Sequence, residues 1–581
     1  MDSSAMSQAD IPRPEHPRPQ RRREHWQSLN GEWAFERDRG RSGRERGLPD
    51  ASALTETITV PFPPESECSG IGDEDFMPAV WYRREVNIPA DWCTDHLLLH
   101  FGAVDYESEV WVNGRSIGTH RGGYSPFSYD IADVVDPGNN VITVCAHDDV
   151  RSGKQPAGKQ STTYATKGVH YQRITGIWQS VWLEPLGPAY IEDIRLTPDL
   201  ASGVLNGTVG ITGARIDAVE IRVAFEGATV GQTTVPVAGN RATWQVELAA
   251  VHPWTPEDPC IYDVTIRLHA GMTVVDELET YTGIRSISVE DGIISLNGEP
   301  RFQRLVLDQG YHPGGLYTAP TDEAYIRDIE LGKSFGFDGA RLHQKVFDPR
   351  FLYHADRLGY LVWGEFGDWK LDQSNPGHLG RVLDEWITVV VRDYNHPCIV
   401  GWTPFNESPA GRHPDLQRTV YRATKAIDPT RPVIDTSGYR HVETDILDIH
   451  DYTQNVDTFR ERYAPLVDGA SIDPPYEHWN DEPGPPLSYV SEFGGIWWNP
   501  AAADGWGYGN RPESEAAFLD RYRGLTEALL ENSAIGMSCY TQLYDIESEV
   551  NGLASFDREP KMPPARIREI TSQPAAIEPT G

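Results

Sequence analysis

The hydrophobic rhythm of the chain changes about halfway along. Up to residue 285, apolar and polar positions alternate in short runs, the two-residue period of half-buried strands. "HLLLHFGAVDYESEVWVNGRSIGTHRGG" is the clearest of these runs. Its Asn113-Gly114 pair predicts a tight hairpin, because both residues tolerate positive φ. "NNVITVCAHDD" and "GIWQSVWLEPL" read as further strands, so residues 1–188 are expected to hold a jelly-roll β-sandwich behind an N-terminal extension. Residues 189–285 repeat the pattern in "AVEIRVAFEG", "RATWQVELA" and "CIYDVTIRLHAG", which suits a small immunoglobulin-like β-sandwich.

From residue 286 the period switches to strand, helix, strand, helix. "RFQRLVLD", "FDGARLH", "YLVWGE", "CIVGWTPF", "RPVIDTS", "DILDIHDY", "PLSYVSEF" and "AIGMSCYTQ" read as strands. "TDEAYIRDIELGKSFG", "PRFLYHADRLG", "LGRVLDEWITVVVRDY", "DLQRTVYRATKAID" and "ESEAAFLDRYRGLTEALLEN" carry helical spacing between them. Eight strand candidates predict a (β/α)8 TIM barrel over residues 286–581. The weakest place is between "RPVIDTS" and "DILDIHDY", where the helix is short or missing.

Composition narrows the class. With 581 residues the chain exceeds one hydrophobic core, and 39% hydrophobic content fits a folded multidomain protein. A net charge of -35 repels phosphates, which argues against nucleic acid and against anionic membrane as partners. Eight of the 51 basic residues are lysine, a bias that reads as genomic base composition. The six cysteines are scattered without C-x-x-C or other metal-type spacing, so reduced thiols are expected. The first residues lack the apolar core of a signal peptide, and no run approaches the length of a membrane helix. A cytoplasmic location is therefore expected.

Barrel sites lie at the C-terminal ends of the strands. Read in order, those ends offer Asp308 and Gln309, Arg341 and His343, Trp363 and Glu365, Asn406 and Glu407, then His450, Asp451 and Tyr452, then Glu492, and last Tyr540 and Gln542. Acids, an arginine, amides and aromatics at one mouth suit a polyhydroxylated ligand. Glu407 and Glu492 end strands that face each other across an eight-strand ring. Glycosidic cleavage needs such a pair, one carboxyl protonated and one ionised. A like-charge neighbour and partial burial are expected to raise the pKa of one of them.

"GWTPFNES" and "YVSEFGG" resemble the retaining glycosidases of glycoside hydrolase family 2. "HPRPQRRREHWQSLNGEWAFERD", "VDYESEVWVNG" and "TGIWQSVWLEP" resemble that family's sugar-binding sandwich, and "RDYNHPCIVGW" and "YTQLYDIESEVNGLASFDREPK" its barrel. The resemblance implies that Glu407 is the general acid/base and Glu492 the nucleophile. It implies that Asn406 binds the 2-hydroxyl, that Tyr452 supports the nucleophile and that Arg341 keeps it ionised. It implies a carbohydrate substrate and no cofactor. Some relatives carry Mg²⁺, for which this sequence shows no dedicated ligand set.

Specificity is less legible. The glucuronidase branch holds the sugar carboxylate with an Asn-x-Lys pattern, whereas here Asn551 is followed by Gly552 and Leu553. A glucuronide is therefore disfavoured, and the reading leans to a galactose-configured sugar, with galactofuranosides and arabinofuranosides as alternatives. A non-catalytic carbohydrate-binding protein and a transglycosylase are the competing functional classes, and homo-oligomerisation is left open. His343, Glu365, His450 and Asp451 are expected either to touch substrate or to be satisfied strand-end polars. Trp363, Trp369, Trp497 and Trp498 are weighed as sugar platforms against core packing, with Trp497 kept as a candidate. Lys345 is expected to be solvated or salt-bridged.

Overall fold

The computed structural model describes residues 11–578, except 94, 410, 476–478, 481–483 and 501–503. The first third folds into two facing antiparallel sheets. A six-stranded sheet runs in the order Glu56–Val60, Gly31–Arg37, Ala79–Ile88, Gly138–His147, Glu107–Val112 and Arg115–Arg121. A four-stranded sheet runs Gln27–Ser28, Val181–Leu186, His96–Phe101 and Phe127–Asp130. Leu97, Leu99 and Phe101 point into the shared core with Val110, Val144 and Leu183, as the alternation requires. Asn113 and Gly114 have φ of 50° and 77° and turn Glu107–Val112 into Arg115–Arg121, the expected hairpin.

Residues 189–282 form the second sandwich. Three strands, Ala189–Asp199, Val204–Gly213 and Arg241–Glu247, face four, Ala228–Pro236, Ala218–Phe225, Tyr262–Ala270 and Thr273–Thr282. In Arg241–Glu247 the alternate residues Ala242, Trp244 and Val246 are buried and the others exposed.

The last part is built of parallel strands: β1 (Gln303–Asp308), β2 (Gly339–Leu342), β3 (Leu361–Glu365), β4 (Ile399–Thr403), β5 (Ser437–His441), β6 (Leu447–Asp451), β7 (Leu487–Gly494) and β8 (Met537–Thr541). Seven of them pair in the order β4-β3-β2-β1-β8-β7-β6. The gap between β4 and β6 is closed differently. Trp402 bridges Val433, Ile434 N–H donates to Trp402 O at 2.9 Å, and Asp445 N–H donates to Val433 O at 3.0 Å. β5 itself pairs with Asn406–Ser408 just beyond β4. No helix separates β5 from β6, at the place where the sequence pattern is weakest.

Helices α1 (Asp322–Ser334), α2 (Pro349–Leu358), α3 (Leu379–Asp393), α4 (Pro414–Ile427), α5 (Val456–Tyr463), α6 (Glu515–Leu530) and α7 (Pro564–Thr571) lie outside the ring. α2 shows why the chain turns where it does. Asp348 caps it by accepting from Arg350 N–H at 2.8 Å, and Pro349 occupies the first turn, where no N–H is needed. Gly359 ends it at φ 64°, and a Cβ there would lie 2.2 Å from Pro256 O of the second sandwich. α6 is capped by Ser514, which accepts from Ala517 N–H at 3.2 Å.

Buried arginines fasten the three parts together. Arg23 donates to Glu184 of the first sandwich and Asp276 of the second, each at 2.9 Å. Arg285 donates to Pro397 O at 2.9 Å and Ile399 O at 2.6 Å, which anchors the second sandwich to the start of β4. A cavity of about 530 Å³ lies in this same region, lined by Leu196, Arg285, Tyr394 and Arg431. It sits by the N-terminal ends of the strands, the face that carries stability rather than chemistry.

Among the described residues, no helix is long and apolar enough to cross a membrane.

Candidate active site

Alternation along each strand decides which residues reach the mouth. On β7, Glu492 points inward, while its neighbour Phe493 packs outward against Phe459 and Tyr540. On β6 His450, and just beyond it Tyr452, point inward toward Glu492. Glu407 sits in Asn406–Ser408 with φ 47°, a left-handed conformation that costs a non-glycine residue about 1–3 kcal/mol. Strain of this kind persists where the surroundings over-determine it, and the β4–β5 junction does so here.

Glu407, His450 and Glu492 bring one ligand atom each within 4.8 Å of the others. His450 Nδ1 lies 2.9 Å from Glu407 Oε1, and its Nε2 lies 3.5 Å from Glu492 Oε1. Burial works against a charge on His450, but Glu492 and Glu407 outweigh it and raise its pKa. His450 thus bridges the two carboxylates, whose charges favour its protonated form.

Glu492 is held from below. Arg341 Nη1 donates to Glu492 Oε1 at 3.0 Å, its Nε to Glu365 Oε2 at 2.6 Å and its Nη2 to Asn406 Oδ1 at 2.7 Å. The Tyr452 hydroxyl donates to Glu492 Oε2 and lies 3.1 Å from Thr541 Oγ1. Tyr452 is in turn stacked on Tyr508 at 3.5 Å between ring centroids. Burial pushes the Glu492 carboxyl up, but His450, Arg341 and His343 pull it down further, to about 2. At Glu492 the pKa is lowered rather than raised, because cations rather than the like charge dominate its surroundings. Glu365 behaves in the other sense, since burial raises it despite Arg341.

Asn406 is fixed at one end only. Its Oδ1 accepts from Arg341, while its Nδ2 is buried without a partner among the described residues. His343 Nδ1 lies 3.0 Å from Glu365 and 4.0 Å from Glu492. Gln309 Nε2 donates to Gln542 Oε1 at 2.6 Å and to Tyr171 Oη at 2.9 Å, and Gln542 donates to Asn551 at 2.9 Å. These amides form one wall of the mouth. Trp497 is half-buried, and its indole N–H has no partner among the described residues.

Other candidates are turned away. Asp451 is fully buried and spends its carboxylate on Arg462 at 2.5 Å, Tyr463 at 3.1 Å and Thr453 N–H at 2.9 Å. It follows His450 on the same strand, so it faces α5. Tyr540 faces outward for the same reason and packs on Phe493 and Tyr522. Asp308 accepts from Tyr544 at 2.6 Å and from Gly310 N–H at 2.9 Å, so it braces a loop rather than facing the carboxylates. Trp363 is core and donates to Gln303. Trp498 is buried in the same core. Lys345 is neither solvated nor salt-bridged, since it is buried and donates to Gly310 O and to Tyr317 O.

The structure adds a wall from the first sandwich. Residues 155–172 leave that sandwich and enter the barrel mouth, and the chain returns to it at Gly176–Ile177, which pairs with Val104–Asp105. Ala157 N–H donates to Trp369 O and Gly158 N–H to Gly367 O, both at 2.9 Å. Tyr171 donates to Glu549, and Gln172 N–H donates to Glu547 at 2.6 Å. Lys159, His170 and Tyr171 thereby join the site. No periodic pattern marks them, and the scarcity of lysine was the only signal at Lys159.

Two side-chain groups among the described residues have metal-binding composition. Asp356, His396 and Cys398 are buried together, with Asp356 accepting from His396 at 2.6 Å, Tyr281 at 2.8 Å and Cys398 N–H at 2.9 Å. Those bonds account for the cluster as a structural brace. The other group is Glu407, His450 and Glu492 itself.

Two carboxylates this close, at the C-terminal mouth of an eight-stranded barrel that follows two β-sandwiches, define the class of retaining glycoside hydrolases. Family models match the chain in the same order. The glycosyl hydrolases family 2 sugar binding domain covers residues 26–185, the central family 2 domain residues 189–285, and the family 2 TIM barrel domain residues 327–493. The chain belongs to glycosyl hydrolase family 2.

A beta-galactosidase of Thermoanaerobacter pseudethanolicus is 27% identical over 406 residues, covering 66% of this chain and 52% of that protein, so the match spans about half the length of that relative. A beta-glucuronidase of Paenibacillus borealis is 26% identical over 438 residues, 70% of this chain and 72% of that protein. The beta-glucuronidase of Felis catus is 28% identical over 449 residues, 70% and 67% of the two chains. In fold, the chain is similar to Bifidobacterium dentium beta-glucuronidase complexed with coumarin-3-O-glucuronide, with a TM-score of 0.78 at 19% identity over 95% of this chain and 98% of that one.

Proposed function

We propose that the chain is a retaining exo-glycosidase that hydrolyses a terminal β-glycoside, with a glucuronide as its substrate. The observation that carries the reading is the separation of Glu407 and Glu492, whose nearest oxygens lie within 4.8 Å. Inverting enzymes hold their carboxyl groups roughly 6.5–9.5 Å apart to admit a water, whereas retaining ones hold them about 5–5.5 Å apart. Glu492, ionised and backed by Arg341, attacks the anomeric carbon. The bond to the leaving oxygen breaks as Glu407 gives it a proton. Glu407, now a carboxylate, takes a proton from water, and the resulting attack on the glycosyl-enzyme ester frees Glu492. The unpartnered Nδ2 of Asn406 is available to a sugar hydroxyl beside the reacting carbon.

The choice of glucuronide rests on the relatives, several of which are beta-glucuronidases. It displaces the lean toward galactose-configured and furanoside substrates drawn from the missing lysine. The beta-galactosidase relative keeps an uncharged β-galactoside as the second reading.

The test is hydrolysis of a nitrophenyl panel of β-D-glucuronide, β-D-galactoside, β-D-galactofuranoside and α-L-arabinofuranoside. Turnover is expected to be greatest on the glucuronide, with proton NMR finding the β-anomer first. The opposite anomer first would sink Glu492 as nucleophile. No turnover of any member would sink the glycosidase reading.

Tyr452→Phe is expected to lower kcat about 10–100-fold, since a hydrogen bond to a charged group contributes about 1.5–3 kcal/mol. Its melting temperature should stay within a few degrees of wild type, because Tyr508 still has an aromatic ring to stack on. A kcat within twofold of wild type would show that the hydroxyl does not tune the nucleophile.

A further inference from the structure

Lys159 is an anomaly in this molecule. It is 6% exposed, and among the described residues its ammonium has no carboxylate within ion-pair distance and no hydrogen-bond acceptor. Its close neighbour is the ring of Trp369, with Nζ 4.1 Å from the centroid. Three other lysines show the usual pattern. Lys425 pairs with Asp445 at 2.9 Å, Lys561 pairs with Asp545 at 2.6 Å, and Lys345 is bound by backbone carbonyls. Burying an unpaired charge is expensive, and a chain with a net charge of -35 does not lack carboxylates.

The cation is not alone. Lys370 Nζ lies 5.5 Å from the centroid of the same indole and 3.0 Å from His170 Nδ1. The His170 ring meets Trp369 edge-on at 5.8 Å. Burial, then Lys370 and Lys159, hold the imidazole down at about 4, so it is neutral and accepts from Lys370. Burial, then Lys159, bring Lys370 down to about 8. Lys370 also carries φ 76°, a strained backbone for a residue with a side chain. Two ammonium groups are thus gathered on one indole, and among the described residues neither has a carboxylate within ion-pair distance, although Glu549 and Glu492 feel the charge of Lys159 from farther off.

The cluster borders the chemistry. Trp369 Nε1 donates to the main-chain oxygen of Asn406 at 3.2 Å, one residue before Glu407. The charge of Lys159 is also felt at Glu492 and His343. Leu553 stands where the glucuronidase pattern has its lysine, and it is fully buried in the core. Leu553 itself therefore supplies no cation.

We propose that Lys159, Lys370 and His170, assembled around Trp369 where the loop of the first sandwich enters the barrel mouth, form the subsite that binds the carboxylate of a uronide glycone. This rests on the reading of Glu407 and Glu492 as the glycosidase pair. The carboxylate takes the place of the missing counter-ion, desolvated between two ammonium groups and donated to by both. His170 keeps Lys370 oriented toward it. Specificity for the acidic sugar is thereby shared between the loop of the N-terminal sandwich, which brings Lys159 and His170, and the barrel, which brings Lys370.

The test compares wild type with Lys159→Met and Lys159→Arg on nitrophenyl β-D-glucuronide and β-D-glucoside, which differ only in the carboxylate. Lys159→Met is expected to lower the ratio of kcat/KM for glucuronide over glucoside at least 30-fold, mainly through KM. Lys159→Arg is expected to recover most of that ratio. Calorimetric binding of the glucuronide to Glu492→Gln, with and without Lys159→Met, reads the subsite independently of turnover. Weaker binding on adding Lys159→Met supports the subsite even if wild type turns over nothing, a result that counts against the proposed function alone. An unchanged ratio, an equal loss on both substrates, or unchanged calorimetric affinity overturns the subsite while leaving the glycosidase reading intact. Lys370→Gln provides the second variant should Lys159→Met fail to fold, with the same expected loss and the same overturning result.

Discussion

Glu492→Gln is expected to reduce kcat on the order of 10⁴–10⁶-fold, because it removes the atom proposed to form the covalent bond. Its fold should survive, because the amide keeps the volume and Arg341 retains Glu365 at 2.6 Å. The low pKa of Glu492, about 2, keeps the wild-type carboxylate ionised above that pH. Any acid limb of kcat/KM at higher pH must therefore belong to another group. Glu492→Ala with added azide is the sharper experiment. Azide occupies the vacated space and attacks once, so the glycosyl azide should have inverted anomeric configuration. Residual activity within tenfold of wild type would remove Glu492 from the mechanism.

Glu407→Gln is expected to show a different dependence. A general acid contributes about 10²–10⁴-fold, and that share falls as the leaving group needs less protonation. With an alkyl aglycone kcat/KM should drop by about the whole of this factor, whereas with nitrophenol the first step should lose little. The glycosyl-enzyme then accumulates, since nothing activates water, and a burst of nitrophenol should precede a slow steady state. Azide should speed that steady state in Glu407→Ala and give an azide of retained configuration. Equal losses on alkyl and nitrophenyl substrates would mean that Glu407 does not protonate the leaving group. Opposite azide stereochemistry at the two positions would separate their roles directly.

Why Glu407 and Glu492 were legible in the sequence is a matter of geometry. Each ends an apolar run, and in a barrel such a run fills the core while its end opens at the mouth. The same rule nominated Asp451 and Tyr540, which the structure turns outward to Arg462 and to Tyr522. Strand period two could have sorted them, because His450 and Tyr452 flank Asp451 and share the opposite face. The fifth barrel position was weak in sequence for a physical reason. Its contacts are a single bridge at Val433 and a short strand paired beyond β4, so no long apolar run is required. Lys159 and His170 were not legible, because they lie in a non-periodic loop of another domain. Only long-range contacts bring them to Trp369.

That loop also sets the order in which the molecule can be completed. Tyr171 lies 378 residues before its partner Glu549 and 138 before Gln309. A sandwich emerging first from the ribosome can pack its own sheets, but its inserted loop must wait, solvated, for almost the whole remaining chain. The side of the mouth that this loop supplies is then completed only once the chain has reached Glu549, and it is not a property of any one domain. An isolated barrel would have its carboxylates and lack one side of its mouth, and an isolated sandwich would carry an unpartnered loop as its most protease-sensitive segment.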